Sequence, residues 1–567
     1  MQSHRRFSLL IVATVLALPA MAAAGSGTLD ATLSARARSP RGSSRVIITT
    51  IDGAPADRAI KAAGGTQGRF LRTLGGQVAL VPDASLHLLA SDPGIRSVAL
   101  DRPVTGTLER TAAAVGATWV REDLGLDGTG IGVAIVDSGV TNWHDDLGSR
   151  AVIHFVDFVT SLMVPHDDYG HGTHVAGIIA GNGYDSGGAR RGIAPGARLI
   201  VLKVLDESGD GHISNVIAAM DYAVEHRAQF NIRVLNLSVA AGVYESYTTD
   251  PLTLAARRAV DAGIVVVTAA GNLGRSAKGT VQYGGITSPG NAPWVLTVGA
   301  TNHQKTAARQ DDTVASFSSR GPTHIDRAMK PDVVAPGVAI ESLADASSSI
   351  YQVNPDARLR GTIDTATAPY IRLTGTSMAA PVVAGTIALM LEANPELTPN
   401  LVKAVLHYTA ERRARYELAT QGAGFLNARG AVQLALALAG EPDGVDPTRW
   451  SRQILWGDRR VRGGVITAAA NAWRPGVVWG ASTTPDGKPV VWGVTADADT
   501  PWGAPDDEAG VSADNYEDAG DGLWADQTRG SVMASGVPAA APWVSRTILA
   551  LMPGDRRRLK PGLGGVR

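Results

Sequence analysis

The run Gly132-Val133-Ala134-Ile135-Val136-Asp137 is five residues without a polar side chain, closed by a carboxylate. A short, continuous apolar run of this kind reads as a strand buried on both faces of a parallel sheet. Working outward, Leu199 to Val204, Val234 to Leu237, Ile264 to Ala269 and Trp294 to Val298 have the same character. Stretches with helical spacing lie between them, among them Ile213 to Glu225 and Leu252 to Ala262. Residues 111–440 therefore read as an α/β layered domain with a mostly parallel central sheet flanked by helices. In such sheets ligands collect at the carboxyl ends of the strands.

The rest of the 567-residue chain is organised around that domain. His4, Arg5 and Arg6, an apolar stretch from Phe7 to about Leu18, and Ala20-Met21-Ala22 have the layout of a signal peptide over residues 1–22, removed on export. No later segment reads as apolar enough to span a bilayer. Residues 23–44, rich in Gly, Ser, Ala and Arg, read as a linker. Over residues 45–103 strand candidates (Val46 to Ile51, Gln77 to Val81, Ile95 to Leu100) interleave with helical stretches (Pro55 to Ala63, Ala84 to Ala90). That predicts a small α+β unit of the ferredoxin-like kind.

After Gly440, Pro, Gly and Asp are frequent, and eight of the eleven tryptophans fall in residues 441–567. Ile454-Leu455-Trp456-Gly457, Val477-Val478-Trp479-Gly480 and Val490-Val491-Trp492-Gly493 form an imperfect repeat, with Pro501-Trp502-Gly503 as a degenerate fourth. The repeat fits a turn-separated β array or a tail packed along a surface; exposed tryptophans would instead stack on sugars. The extension reads as irregular or β-rich, with Arg556 to Arg567 disordered. Composition narrows the chemistry. Lys and Arg total 52 against 53 acids, which leaves no basic footprint for nucleic acid. With no cysteine, thiol catalysis, Cys-ligated zinc and disulfides are excluded.

Three segments carry candidate chemistry. Asp137 emerges from a buried strand, where an aspartate also serves as a turn or cap residue. Gly170-His171-Gly172-Thr173-His174-Val175-Ala176-Gly177 puts His171 on the first turn of a helix. Two histidines three apart can share a metal, yet no H-E-x-x-H arrangement is present; a general base accounts better for His171, and a packed histidine for His174. Gly375-Thr376-Ser377-Met378-Ala379-Ala380-Pro381 sets Ser377 at the start of an apolar helix, as a nucleophile near a positive helix end or as a plain N-cap. Pro381 reads as lying within or just after the first turn, where a missing N–H costs least.

These segments resemble the three signatures of the subtilisin (subtilase) family. Asp137 in I-V-D-S-G, His171 in H-G-T-H-V-A-G and Ser377 in G-T-S-M-A-A-P stand in its order. The resemblance implies a subtilisin-like fold and a serine endopeptidase that cleaves proteins through an Asp–His–Ser triad and an acyl-enzyme. It also implies that Asn272, in Ala269-Ala270-Gly271-Asn272, is an oxyanion-hole donor. Ser238, Val239 and Ala240 match the family segment that pairs with an extended substrate and walls one side of the specificity pocket; Ala269, Ala270 and Gly271 match the opposite wall. The family usually has glycine where Ala240 stands, so the added methyl narrows the pocket mouth. Residues 45–103 resemble the family's propeptide inhibitor, released by self-cleavage between about Asp101 and Thr111. The expected partners are protein or peptide substrates and the chain's own propeptide, and the product is secreted, periplasmic or on the cell surface. The chemistry requires no cofactor; structural calcium occurs in the family, but Asn182 and Asp185 in the loop Gly181 to Gly188 serve equally as turn formers. The rival reading is an inactive, protease-like binding module acting through the Trp-rich tail.

Overall fold

The computed structural model describes residues 27–71, 75–100, 107–276, 278–441, 445–494, 497–501 and 531–534, the last as backbone only. The leader at residues 1–22, residues 101–106 of the maturation stretch, Trp502 and the terminal Arg556 to Arg567 lie outside the described residues. The chain divides after Val104 into two compact units.

In the first unit, β1 (Thr28–Leu29), β2 (Ser43–Thr50), β3 (Thr66–Leu71), β4 (Gly76–Pro82) and β5 (Ile95–Leu100) form one sheet in the order β1-β5-β2-β4-β3. With helices Asp57–Ala62 and Leu86–Ala90 between them, β2 to β5 make the βαββαβ arrangement expected of a ferredoxin-like unit. Val46, Ile48, Ile60, Val81, Leu86 and Val98 fill its core. Two features depart from the expectation. Residues 27–38 are not linker: β1 pairs parallel with β5, and Ala31–Arg38 is a helix. Its N-cap Asp30 accepts from Leu33 N at 2.8 Å and Leu100 N at 2.5 Å. Leu33 is its one large apolar residue, among alanines and polar side chains, so no apolar stripe announces it. Strand β3 also goes unforeseen, because the register against β4 slips between Gln67 and Phe70 and breaks the alternation.

The second unit is built on β6 (Gly132–Asp137), β7 (Val152–Asp157), β8 (Arg198–Lys203), β9 (Asp210–His212), β10 (Ile232–Leu237), β11 (Val239–Ala240), β12 (Val265–Ala269), β13 (Leu296–Asn302), β14 (Thr313–Val314) and β15 (Val333–Pro336). Its main sheet runs β14-β13-β12-β10-β6-β8-β7, with β15 beside β13; every pairing is parallel except β13 with β14. Side chains alternate between two cores, Val133, Ile135, Leu199 and Val201 on one face and Ala134, Val136, Ile200 and Leu202 on the other. Both faces are dry, as unbroken apolar runs require. The helix Thr376–Ala393 has 18 residues, a mean hydropathy of 1.4 and 89% of its length buried. It is thus apolar enough by length and composition to cross a membrane, contrary to the sequence reading, but it is the central core helix.

A small sheet of β16 (Ile340–Leu343), β17 (Arg358–Leu359) and β18 (Tyr370–Leu373) lies beside the helix His171–Ala180. Beyond residue 440 come β19 (Gln453–Trp456), β20 (Arg459–Arg462), β21 (Val465–Ile466), β22 (Gly493–Val494) and β23 (Asp497–Pro501). Among the described residues the tryptophan repeat is neither a regular array nor an exposed sugar platform. Trp456, Trp473 and Trp479 are buried in the same core as the α/β domain, and each indole N–H reaches a carbonyl, of Ala481, Thr467 and Leu455 respectively. Gly457 and Gly480, both at positive φ, meet back to back: a Cβ on either would lie 2.8–2.9 Å from the other's Cα. That contact explains the glycines of the first two repeats, and the folded domain does not end at residue 440. Finally β24 (Ser531–Ala534) lies between β11 and β9, antiparallel to both.

Candidate active site

Strands β6, β10 and β12 are neighbours and parallel, so their carboxyl ends open on one edge of the sheet. β6 ends in Asp137, β10 is followed by Ser238, and β12 by Ala270, Gly271 and Asn272. The helices His171–Ala180 and Thr376–Ala393 pack against each other, bringing the expected base and nucleophile to that edge.

Asp137 has no exposed surface, and its Oδ1 accepts from Ser138 N and from His171 Nδ1, both at 2.7 Å. The second bond commits Nδ1 as a donor and leaves His171 Nε2, which is buried and has no hydrogen-bond partner among the described residues, to receive a proton. Burial works against the charged imidazole, but the Asp137 charge and hydrogen bond, helped by Asp167, outweigh it and raise the His171 pKa above its ordinary 6.5.

The first turn of the His171 helix is fixed from outside. Gly170, at φ +98, caps it where a Cβ would fall 2.3 Å from Ser348 Oγ. Asp167 is buried and accepts four bonds, from Ser138 Oγ (2.7 Å), Gly170 N (2.7 Å), Thr173 N (2.7 Å) and Thr173 Oγ1 (2.6 Å). It ties the end of β6 to the start of the helix. Burial pushes its carboxyl up, against the pull of those donors. The sequence reading does not reach Asp167; the available signal was an acid just upstream of a helix start that lacks a side-chain cap.

Ser377 is the second residue of its helix, and the N-cap is Gly375, so Ser377 is not a capping serine. Its Oγ donates to Ser238 O at 3.0 Å. Pro381 falls just after the first turn and inside the helix, where the carbonyl it cannot reach is that of Ser377. Ser238 Oγ donates to that carbonyl at 2.9 Å, so the proline's missing N–H is replaced by a neighbouring strand end. Asn272 Oδ1 accepts from Thr376 N (3.0 Å) and Thr376 Oγ1 (3.1 Å). With the oxygen held this way, the amide's Nδ2 donors are presented on its other side.

Ser238, Val239, Ala240, Ala269 and Ala270 are all buried, and Gly271 sits at positive φ. The two sets follow adjacent strands and are joined by residues 287–288: Thr287 N donates to Ala270 O, and Ser288 and Ala241 exchange backbone bonds at 3.0 Å. His174 turns away from His171. Its Nε2 lies 3.2 Å from both Ile340 O and Ile371 O, and burial, with His171 adding to it, pushes its pKa down to about 3. It is a neutral packed residue, and the two histidines do not converge on a metal.

Asn182 is a turn former, accepting from Tyr184 N. Asp185 instead is buried beside Asp146 and His144. Both His144 nitrogens are engaged, by Pro369 O and Asp146 N, and both Asp146 oxygens accept, from Asp185 N and Tyr370 Oη. That leaves Asp185 Oδ1 without a partner. Calcium takes six to eight oxygen ligands; this set of one open carboxylate oxygen and an occupied imidazole does not fit it.

Comparison with known proteins bears on the same segments. The profile described as "Subtilase family" matches residues 128–431, more than half of the chain. "Serine protease AprX" of Bacillus subtilis (strain 168) is 39% identical over 359 residues, covering 62% of this chain and 78% of its own. "Extracellular serine proteinase" of Thermus sp. (strain Rt41A) is 32% identical, covering 63% and 81%. Among solved structures, a "cold adapted subtilisin-like serine proteinase" matches 53% of this chain and 90% of its own, at 29% identity and a TM-score of 0.40. The profile match and the AprX relative carry the assignment: this chain belongs to the subtilase family of serine endopeptidases.

Proposed function

We propose that Asp137, His171 and Ser377 are the catalytic triad of a secreted endopeptidase, with Asn272 and the Ser377 backbone N–H as its oxyanion donors. The observation that carries this reading is the 2.7 Å bond between His171 Nδ1 and Asp137 Oδ1, buried, with Nε2 unengaged and the helices that bear His171 and Ser377 packed against each other. Ser377 Oγ attacks a peptide carbonyl as His171 Nε2 takes its proton. Asp137 holds the imidazole's tautomer and stabilises the imidazolium. The oxyanion meets the Asn272 amide at the point where charge develops. His171 then protonates the leaving amine, and water resolves the acyl-enzyme by the reverse route. Ser238 to Ala240 and Ala269 to Gly271 would wall the pocket for the side chain at the cleaved bond, and main-chain pairing would admit many sequences.

Residues 45–103 would act as an inhibitory propeptide, a role supported by their family resemblance and their ferredoxin-like build. Export is supported by the leader-like sequence of residues 1–22 and by an extracellular relative. The test is a fluorophosphonate probe on matured protein. Labelling that disappears in Ser377→Ala is expected; an unlabelled, folded wild-type chain would mean a binding module instead. Intact mass and N-terminal sequencing of the secreted form would check export and maturation.

A further inference from the structure

We propose that Ser531–Ala534 is an intramolecular occupant of the substrate channel, competing with protein substrates for the gap between β9 and β11. The inference rests on the proteolytic reading above, in which β11 is the edge that pairs with an extended peptide.

Val239 lies opposite Ala534 and Ala240 opposite Met533; on the other side Asp210 lies opposite Met533, Gly211 opposite Val532 and His212 opposite Ser531. Met533 is thus paired on both flanks. In this three-stranded sheet β9 and β11 are joined only through β24. Two strand edges facing each other across the width of one strand make a slot that recognises backbone rather than sequence. Ser531-Val532-Met533-Ala534 has no charge and no proline, so every residue retains an N–H for either ladder.

The direction of the segment is informative. β24 advances from His212 toward Val239, and the residue before Val239 is Ser238, whose carbonyl accepts from Ser377 Oγ at 3.0 Å. The segment therefore runs as an extended substrate would on the proteolytic reading, with Ala534 nearest in register to Ser238.

A tethered segment competes at an effective concentration that can reach about the millimolar range, so a free peptide must overcome it to bind. The test uses the chain carrying Ser377→Ala, its residues before about Thr111 removed in trans by a trace of wild-type enzyme and its tail verified intact by mass, so that neither tail nor probe is cut and no propeptide competes. The probe is a fluorescein-labelled octapeptide with the sequence of residues 529–536. Adding Val532→Pro and Met533→Pro, which remove backbone donors from the tail, is expected to tighten probe binding by about tenfold or more, read by fluorescence anisotropy. Equal affinities, or no binding to either chain, would overturn the proposal. Fluorophosphonate labelling of the Val532→Pro/Met533→Pro chain with Ser377 intact shows that the domain is folded and active. Failure of labelling with a preserved affinity difference would sink the proteolytic reading and leave the tail in its slot.

Discussion

At the level of single residues, the site works by fixing which atoms remain available. Asn272 gives its oxygen to Thr376, which leaves its amide hydrogens available for the oxyanion role proposed for them. Asn272→Ala should lower kcat by about 10²–10³, a figure taken from the matching residue of a relative, and leave KM nearly unmoved; a loss confined to KM would contradict the assignment. For His171 the sign of the pH effect follows from its surroundings. Its pKa is raised in the folded state, so kcat/KM should climb with pH through a midpoint above 6.5, where the imidazole becomes neutral. The ion pair's contribution to stability is fully present below 6.5 and lost as pH rises through the folded pKa. Asp137→Asn removes the raising charge and leaves burial, so the midpoint should fall and the rate should drop by about 10⁴. A pH–rate profile unshifted in that variant would remove Asp137 from the mechanism. Asp137, His171, Ser377 and Asn272 could be named as candidates from the sequence because each stands in a short motif. Asp167 and Ser238 Oγ could not, because their partners are distant in sequence or are backbone atoms.

Elements set the site through bonds that cross from one to another. The Ser377 helix keeps a proline in its second turn because Ser238, at the end of β10, supplies the missing donor. Ser238→Ala would remove that donor from a buried carbonyl, at a cost of about 1–3 kcal/mol. Denaturant melts of Ser238→Ala and of Ser238→Ala/Pro381→Ala would check this, since restoring an N–H at residue 381 should recover much of the loss. A double variant no more stable than the single one would mean that the carbonyl is not the reason. The parallel strands and the helices over 213–225 and 251–261 were readable from apolar runs, to within a few residues. The helix Ala31–Arg38 and strand β3 were not, since one has a single large apolar residue and the other is broken by a bulge. Periodicity reports burial, and neither element buries a regular stripe.

Across the whole second unit, the question is why a protease domain carries a tryptophan-rich extension. Asp332, just before β15, is buried with Lys330 Nζ at 2.7 Å, Lys403 Nζ at 2.9 Å and His407 Nε2 at 3.3 Å. Burial alone would raise the Asp332 pKa, but the two ammonium groups and His407 hold it far below the usual 3.8, so its stabilising effect is present above about pH 4 and lost in acid. Burial pushes Lys403 down to about 7 although Asp332 resists. The wall of this charge cluster is Trp479 of the extension: its ring lies 4.7 Å from Lys403 Nζ and meets His407 edge-on at 5.4 Å. Trp479 also packs at a tilt on Trp456, with ring centroids 4.5 Å apart, and donates to Leu455 O. Replacing it with alanine therefore does two things at once: it opens a cavity in the shared core and lets water reach a carboxylate whose partners depend on a dry setting. Trp479→Ala should cost about 3–5 kcal/mol in urea melts. It should also move the Lys403 titration upward from about 7, as hydration relieves the penalty on its charge, which a pH series of the same melts would register. If the variant melted at the wild-type midpoint, the extension would be an appendage, and a chain ended at residue 440 should then fold. The shared core argues that such a chain would instead expose Leu401, Val405 and Tyr408 and aggregate.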